Sequence, residues 1–577
     1  MSGPGHGAFL PGWPGGLAVD GLSAVLLVTL AAVLTAVVAF AAGEGYGARF
    51  HGLMLLFAAA MAVTVTATDL VLLLMGWEVM GAMSYALIGY EWSDARRVRS
   101  AGVAFLTTRA ADTGLYAAAG FAVAGAHSLR LDDLAAAGTP WRDLIAAGLV
   151  VSALGKSAQL PFSFWLSRAM DGPSPVSALL HSATMVAAGA YLLMRVHPLL
   201  AATGWAATLV CWAGAVTALV LGAVALAQRD LKQLLAASTC SQIGFMVLGA
   251  GAGAVGGGTA QLVAHAAVKS LLFLCAGVWL GVLGTRRLDA LQGAARRHRT
   301  VGAAFGAGAL ALAGVPPLSL WVTKDEVLAG VGGSPALLAV GLAASVLSAA
   351  YAAKALLAAF RPAGGGAFRV PFPQQAPLVV LAFAATVLGV LGVPPVADAW
   401  RRMLGVPDES GPDPWLIALS GVLAVVTVGS VMAVRRIPEP GWAVNWLWLE
   451  SAASAGAVRP AFAAARALAR FDERVVGRAA EAVVVRPAFA VARLLARFDE
   501  RVVHGAVQGV ARGGQAVAGL AGRRVEFRVD GLVAAVGRAA RGLGALARRP
   551  QTGQVHMYYA QAAVVLAVLV VVAVLVG

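Results

Sequence analysis

The sequence predicts an all-α polytopic membrane protein of about 14 transmembrane helices, followed by a long C-terminal lateral amphipathic helix. Three observations lead there. The chain has 577 residues and a mean hydropathy of +0.80, with 59% hydrophobic and 12% charged residues, too few polar groups to cover a soluble protein. Apolar runs of about twenty residues recur along almost its whole length, as a hydrocarbon layer of roughly 30 Å demands. Basic residues gather in alternate loops, the usual imprint of membrane topology.

Residues 1–20 form a short external N-terminus. They contain no basic residue and the first charge is Asp20, so a cleavable signal peptide is not expected. Spans are expected near 21–43, 50–67, 68–91, 101–124, 143–166, 173–196, 202–226, 238–252, 258–283, 302–327, 332–360, 377–396, 412–434 and 556–576. Every second loop is basic: Arg49, Arg96/Arg97/Arg99, Arg168, Arg229/Lys232, the five arginines from Arg286 to Arg299, Arg361/Arg369 and Arg435/Arg436 make 16 Lys or Arg. The other loops hold five, Arg130, Arg142, Arg195, Arg401 and Arg402. That imbalance puts the first set in the cytoplasm and both termini outside.

The net charge of +15 is therefore a topology and headgroup signal, and nucleic-acid binding is not expected. Cys211, Cys240 and Cys275 stand singly in apolar segments, without a Cys-x-x-Cys pair or a histidine set, so neither an iron-sulfur cluster nor a structural zinc is expected. No Rossmann fingerprint, Walker loop, HExxH or nucleophile elbow is present.

Residues 441–550 are Ala- and Arg-rich, with short apolar runs broken by charge, and read as surface helix. RPAFAAARALARFDERVV at 459–476 returns as RPAFAVARLLARFDERVV at 486–503, 27 residues on. Pro460, Pro487 and Gly513/Gly514 are expected to interrupt that helix. Residues 551–577 then supply a final anchoring span.

Charge is expensive inside a bilayer, so each charged residue within a span is a functional candidate. Glu78 in LLLMGWEVMGAM needs a partner, and Lys156 in SALGKSAQLPF, bracketed by Gly155 and Pro161, is the natural one; a static ion pair is the plainer reading of the two. The break there exposes backbone at mid-depth, where ions or water can sit. His181 supplies an imidazole, a side chain that can gain and lose a proton near neutral pH. His265 and Lys269, four apart, share a helix face, though a lone membrane histidine is often only a helix-helix hydrogen bonder. Pro316 and Pro317 precede Lys324, Asp325 and Glu326, a second lysine beside a prolyl break. Arg109 and Asp112, three apart, can pair on one face, either structurally or to set the local field. Lys232 reaches inward or snorkels to the interface.

GWEVMGAMSYALIGY, GKSAQLPFSFWLSRAMDGPSPVSALLHSATMVAAGAYLL, RDLKQLLAASTCSQIGFM, HAAVKSLLFLCAG and GVPPLSLWVTKDEVLAG closely resemble the large antiporter-like subunits of respiratory complex I, specifically subunit L, also called subunit 5. The similarity runs from about 20 to 440 and resumes in QTGQVHMYYA. The resemblance implies an antiporter-like helix bundle at 21–440 with 13 transmembrane helices and two broken helices. It implies proton pumping driven by electron flow from NADH to quinone, as a subunit of NADH:quinone oxidoreductase with no redox site of its own. It makes Glu78 the key membrane glutamate, Lys156 its paired lysine, His181 a relay, Lys269 the central lysine and Lys324 with Asp325 the exit site; Arg109, Asp112, His265 and Lys232 complete the proton path. No cofactor is expected in this chain. The implied partners are subunits M, N, K and J along the lateral helix, with FMN and iron-sulfur clusters elsewhere in the complex, quinone as substrate, membrane lipids around it, and the bacterial cell membrane as location. The family usually carries two more helices before Asp20, and sixteen less two matches the fourteen read here. Gln261 stands where a histidine often precedes His265, Ser163 replaces a common histidine, and Ser167-Arg168 a common Pro-Asp. The same core occurs in multisubunit cation/proton antiporters, membrane hydrogenases and inorganic-carbon uptake systems; a structural subunit that has lost pumping is the contrasting reading.

Overall fold

The computed structural model describes residues 7–10, 13–362, 364, 366–434, 437–518, 530–547 and 555–576. The topology signal at Arg435/Arg436 and the start of QTGQVHMYYA lie outside the described residues. The chain falls into two units, residues 1–450 with 573–577, and residues 451–572.

The first unit is almost wholly helical. A two-stranded antiparallel hairpin, β1 (Gly7–Leu10) and β2 (Trp13–Gly15), precedes the first span and is the one departure from the expected all-α fold among the described residues. Then follow α1 (Gly21–Gly43), α2 (Ala48–Thr66), α3 (Leu70–Ile88), α4 (Ala95–Phe121), α5 (Trp141–Lys156), α6 (Phe164–Ala169), α7 (Ser174–Leu180), α8 (Met185–Arg195), α9 (His197–Thr203), α10 (Trp205–Ala227), α11 (Leu231–Ala252) and α12 (Val255–Leu283). After α13 (Ala294–Arg297) come α14 (Arg299–Ala313), α15 (Ser319–Ala329), α16 (Pro335–Phe360), α17 (Phe372–Val387), α18 (Pro394–Met403), α19 (Pro414–Ala433) and the short α20 (Gly441–Val444).

Aspartates start several of these helices by accepting the backbone N–H groups that a helix leaves free at its N-terminus. Asp20 and Ser23 form a reciprocal capping box on α1, Asp69 accepts from Val71 and Leu72 on α3, and Asp230 accepts from Gln233 on α11. Glycines set the closest helix pairs: Gly148 of α5 lies against the Gly114 carbonyl of α4, and Gly244 of α11 against the Gly214 carbonyl of α10. A Cβ at either place would collide with backbone, the small-residue contact by which membrane helices approach.

Among the described residues, ten helices are long and apolar enough to cross a membrane, and they coincide with ten of the fourteen expected spans. The other four differ for separate reasons. Residues 101–124 lie in α4, whose arginines and aspartate lower its hydropathy. Residues 143–166 break after Lys156 and residues 302–327 break after Ala313. Residues 556–576 lie in a helix at Val555–Val576.

Two broken helices were expected at Lys156/Pro161 and Pro316/Pro317, and both occur. A third break parts α7 from α8 over His181–Thr184. The most enclosed spans are 174–195, 231–252 and 255–283. They carry His181, Lys232, His265 and Lys269 in the interior of the bundle.

In the second unit, α21 (Leu449–Ala453), which opens just before it, is followed by α22 (Arg459–Phe471), α23 (Gly477–Ala480), α24 (Arg486–Phe498), α25 (His504–Ala518), α26 (Asp530–Ala547) and α27 (Val555–Val576). From α21 to α25 the chain never leaves the helix. Single π turns at Ser454–Val458, Asp472–Val476, Glu481–Val485 and Asp499–Val503 join the α segments. The interruptions expected at Pro460, Pro487 and Gly513/Gly514 are absent. Each proline stands at the second position of an α segment just after a π turn, where a missing N–H is accommodated. The two glycines sit within α25.

Candidate functional site

The polar residues singled out in the spans form a row through the first unit. At one end, Glu78 of α3 and Arg109 of α4 make an ion pair, and the Tyr116 hydroxyl donates to Glu78 Oε1 at 2.9 Å. This cluster lies on the outer flank of the bundle, with Glu78 half-buried and Tyr116 exposed.

Inward from it, Lys156 donates to Asp112 Oδ2 at 3.1 Å, both side chains fully buried. Asp112 also accepts from Trp77 Nε1 at 2.6 Å and from the Ser152 hydroxyl at 3.3 Å, and the Lys156 ammonium stands 5.0 Å from the centre of the Trp77 ring. The pairing expected from sequence is therefore exchanged. Lys156 meets Asp112 rather than Glu78, and Arg109 meets Glu78 rather than its helix neighbour Asp112. The rotation of α4 explains it: Arg109 and Asp112 lie on one helix but diverge, the first toward the flank and the second toward α5. Lys156 still lies next to α3, since a Cβ at Gly81, one turn after Glu78, would stand 3.5 Å from its ammonium.

Lys156 is the last residue of α5, so the break that follows holds it inside the bundle, fully buried. Gln159, in that break, donates to the Cys240 carbonyl of α11 at 3.3 Å, and Trp165 Nε1 donates back to the Gly155 carbonyl at 2.9 Å. His181 caps α7 at the third break. Both His181 nitrogens lack a hydrogen-bond partner among the described residues, and His265, whose ring faces the His181 backbone, makes no well-formed hydrogen bond either; both rings are fully buried. Buried polar groups left this way call for ordered water. Lys269, one turn after His265, donates to the Leu235 carbonyl at 3.1 Å and to the Ser238 hydroxyl of α11.

Lys232 does not snorkel. It is 1% exposed and donates to the Gly172 carbonyl at 2.9 Å. It borders a cavity of about 910 Å³ also lined by Glu44, Arg97, Asp171, Asp230 and Arg286, on the side of the molecule bearing the arginine-rich loops.

Beyond Lys269 the row continues through residues that charge-based reading passed over. Gln261 Nε2 donates to Gln242 Oε1 at 2.9 Å, and the Thr323 hydroxyl donates to Gln261 Oε1 at 2.5 Å. Gln242 Nε2 donates to the Ser348 hydroxyl at 2.9 Å and to the Tyr351 hydroxyl at 2.7 Å. Ser348 also receives Tyr351 at 3.1 Å and Lys324 Nζ at 3.3 Å, and gives its own proton to the Leu312 carbonyl at 2.8 Å. Asp325, next to Lys324, accepts from Ser420 at 2.6 Å. A cavity of about 10 Å³ lies between Gly314, Lys324, Asp325, Ser345 and Ser420, close to the space one water needs. Glu326 pairs with Arg401 at 3.0 Å and ends the row. Counting every polar side chain in the spans, amides included, would have found Gln242 as well as Gln261. No group of three or more His, Cys, Asp or Glu side chains able to hold a metal occurs among the described residues.

Residues 67–348 match the family model for the NADH:quinone oxidoreductase/Mrp antiporter transmembrane region. NADH-quinone oxidoreductase subunit L of Escherichia coli is 34% identical over 458 residues, 75% of this chain and 71% of that protein. The chain belongs to this antiporter-like membrane subunit family. The corresponding subunit of Pseudomonas aeruginosa is 35% identical over 411 residues, 67% of this chain and 66% of the relative; against the Synechocystis chain 5 protein the match spans 49% of the relative. Among solved structures, the Mrp complex from Dietzia has a TM-score of 0.69 at 30% identity, covering 86% of this chain and 56% of the other. Respiratory complex I from Thermus thermophilus has a TM-score of 0.61 at 25% identity, covering 70% and 90%. As an antiporter-like subunit the chain is a multi-pass membrane protein. The matched region takes in all ten residues of the proposed path, from Glu78 to Asp325, whereas residues 451–576 lie outside it.

Proposed function

We propose that this chain translocates protons as a membrane subunit of NADH:quinone oxidoreductase, coupling electron transfer in partner subunits to proton export. The observation that carries the reading is the buried row from Lys156/Asp112 through His181, His265 and Lys269 to Lys324/Asp325. It joins three helix breaks and leaves two imidazoles for water to bridge. Isolated charges at such depth are costly, and a row of them at short intervals serves ion movement better than it serves stability. Protons enter from the cavity beside Lys232 and leave past Lys324 and Asp325. Each charge displacement changes the field on its neighbour: two unit charges about 4 Å apart interact by about 4 kcal/mol at an effective dielectric constant near 20. The Glu78–Arg109 and Asp112–Lys156 pairs form the coupling end.

In this reading the bundle holds fourteen spans with both termini outside. Residues 441–550 lie laterally along the membrane surface against subunits M, N, K and J, and 551–577 anchor the end. FMN, iron-sulfur clusters and quinone belong to the partners.

A second reading, the large subunit of a cation/proton antiporter, is favoured by the 86% coverage against the Dietzia Mrp complex. One experiment addresses both. Vesicles holding the whole assembly, native or Lys324→Ala, are followed for NADH-driven quinone reduction and for acidification. The expected result is NADH-driven acidification in the native assembly that is lost or reduced in the assembled variant. An unchanged proton yield per electron would reject the role of Lys324, and proton movement driven only by a sodium gradient would favour the antiporter.

A further inference from the structure

The 27-residue repeat of the second unit has a geometry that its sequence alone conceals. Over 27 residues an unbroken α-helix turns 7.5 times at 3.6 residues per turn. Arg459–Val476 and Arg486–Val503 would then face opposite sides, half a turn apart. Between equivalent points of the two copies, however, the chain passes through two π turns, at Asp472–Val476 and Glu481–Val485. A π turn closes i→i+5 and absorbs one extra residue. The remaining 25 residues make about 7 turns, so both copies return to one face, roughly 38 Å apart along the axis.

The side chains repeat in the same way. In the first copy Leu468 and Phe471 lie opposite Arg459, Arg466 and Arg470; in the second, Leu495 and Phe498 lie opposite Arg486, Arg493 and Arg497. Arg466 Nε donates to the Phe462 carbonyl at 3.2 Å and Arg493 Nε to the Phe489 carbonyl at 3.2 Å, so even the arginine conformations recur. Leu468, Phe471, Leu495 and Phe498 are 68, 57, 61 and 57% exposed, an apolar ridge in need of cover. The copies agree at 16 of 18 positions, differing only at Ala464/Val491 and Ala467/Leu494. The nine residues after each copy, 477–485 and 504–512, agree at two.

A lipid surface would require only that apolar residues share a face; it would not require the same residues at the same interval. We infer that each copy fills one of two like recesses, about 38 Å apart, on adjoining membrane subunits built on one fold, and that the π turns hold the two copies in phase. The inference rests on the reading that this chain works inside a multisubunit membrane assembly.

Three length variants of the full chain, expressed with its partners, test it by native gel electrophoresis of solubilised membranes and by quantity of chain in the membrane. Removing Arg474 and Val483, one residue from each π turn, converts both to α-helix at unchanged phase and spacing, and the assembly is retained. Inserting two alanines after Val483 turns the copies half a turn apart, and the assembly is lost. Inserting seven residues there keeps the phase, since two turns need about 7.2 residues, but moves the second copy by about 10 Å, and the assembly is again lost. Assembly surviving the seven-residue insertion would overturn the inference in favour of a continuous surface such as the bilayer. Survival of the two-residue insertion, or loss on the two-residue deletion, would remove the role of phase. The pair Val491→Ala with Leu494→Ala makes the second copy like the first and leaves assembly intact; its failure counts against like recesses. A native chain that migrates alone refutes the assembly reading itself, and the inference falls with it.

Discussion

Lys156 and Lys324 occupy similar places in sequence, each beside a prolyl helix break, yet their surroundings differ in kind. Lys156 has a carboxylate from another helix at 3.1 Å, itself held by Trp77 and Ser152. Lys324 has a neutral hydroxyl at 3.3 Å, while the adjacent Asp325 turns to Ser420. Burial is nearly equal, so the breaks alone do not decide the chemistry. The helices packed against them do. One lysine is half of a closed ion pair, and the other sits at the open end of a neutral hydrogen-bond network.

Asp112→Asn strikes hardest at this contrast. It leaves the Lys156 ammonium buried without a counter-charge, a loss worth about 3–5 kcal/mol for a broken buried pair, and both the melting temperature of the purified assembly and its proton yield fall. Adding Lys156→Met restores most of the melting temperature but not the pumping. If Asp112→Asn melts like the native protein, the pair is not closed in the way described. Lys324→Ala produces the opposite profile, with pumping lost and melting changed little, because the bond surrendered is to a hydroxyl.

The amide network sharpens the comparison at the Lys324 end. Gln261→Leu strands Gln242 Oε1, at about 1–3 kcal/mol for an unsatisfied buried group, while the Thr323 hydroxyl keeps the Ser319 carbonyl at 3.2 Å, and it lowers proton yield per electron while quinone reduction continues. Gln261→His retains one donor and one acceptor in its neutral form and restores the yield. Equal behaviour of the leucine and histidine variants would show the network to be filler.

The smallest effect is outside the membrane. Burial pushes the Asp20 carboxyl up, but hydrogen bonds from Arg195 and Ser23 outweigh it and bring the pKa down to about 2. A folded pKa below the unfolded value of about 3.9 stabilises the protein above that pH, and the gain disappears as pH falls toward 2. Asp20→Asn therefore melts slightly below the native protein at pH 7, and titration from pH 5 to pH 2 narrows the gap. A gap constant over that range would mean the carboxylate charge contributes nothing.

The spans were legible because hydropathy and length are properties of a segment by itself. Ten of the expected segments reappear as spans long and apolar enough to cross a membrane, one of them broken at His181–Thr184, and two others break at the expected prolines. What depended on rotation was not legible: Arg109 and Asp112 are three residues apart whichever way α4 faces, so the sequence could not say that one pairs outward with Glu78 and the other inward with Lys156. The break at His181 carries no proline or glycine at the break itself; it is accompanied by side-chain hydrogen bonds of Ser182 with the Ala178 carbonyl and with Ser270 of α12, and of Thr184 to the Leu179 carbonyl, which no local pattern announces. Gln261 read as the loss of a titratable group; its value as a bridge emerges only with Gln242, 19 positions away, and Thr323, 62 positions away.

A hydroxyl oxygen has two lone pairs, and Ser348 faces three donors, from Gln242, Tyr351 and Lys324. One claimant is always left over. A charged Lys324 presses the strongest claim and weakens the neutral donors' hold on Ser348, whereas the neutral amine, still a donor, competes on equal terms, so the lysine's charge and the orientation of the amide pair are coupled. Tyr351→Phe removes a claimant and dissolves the competition: it turns a mutually exclusive arrangement into a permissive one without touching a charge.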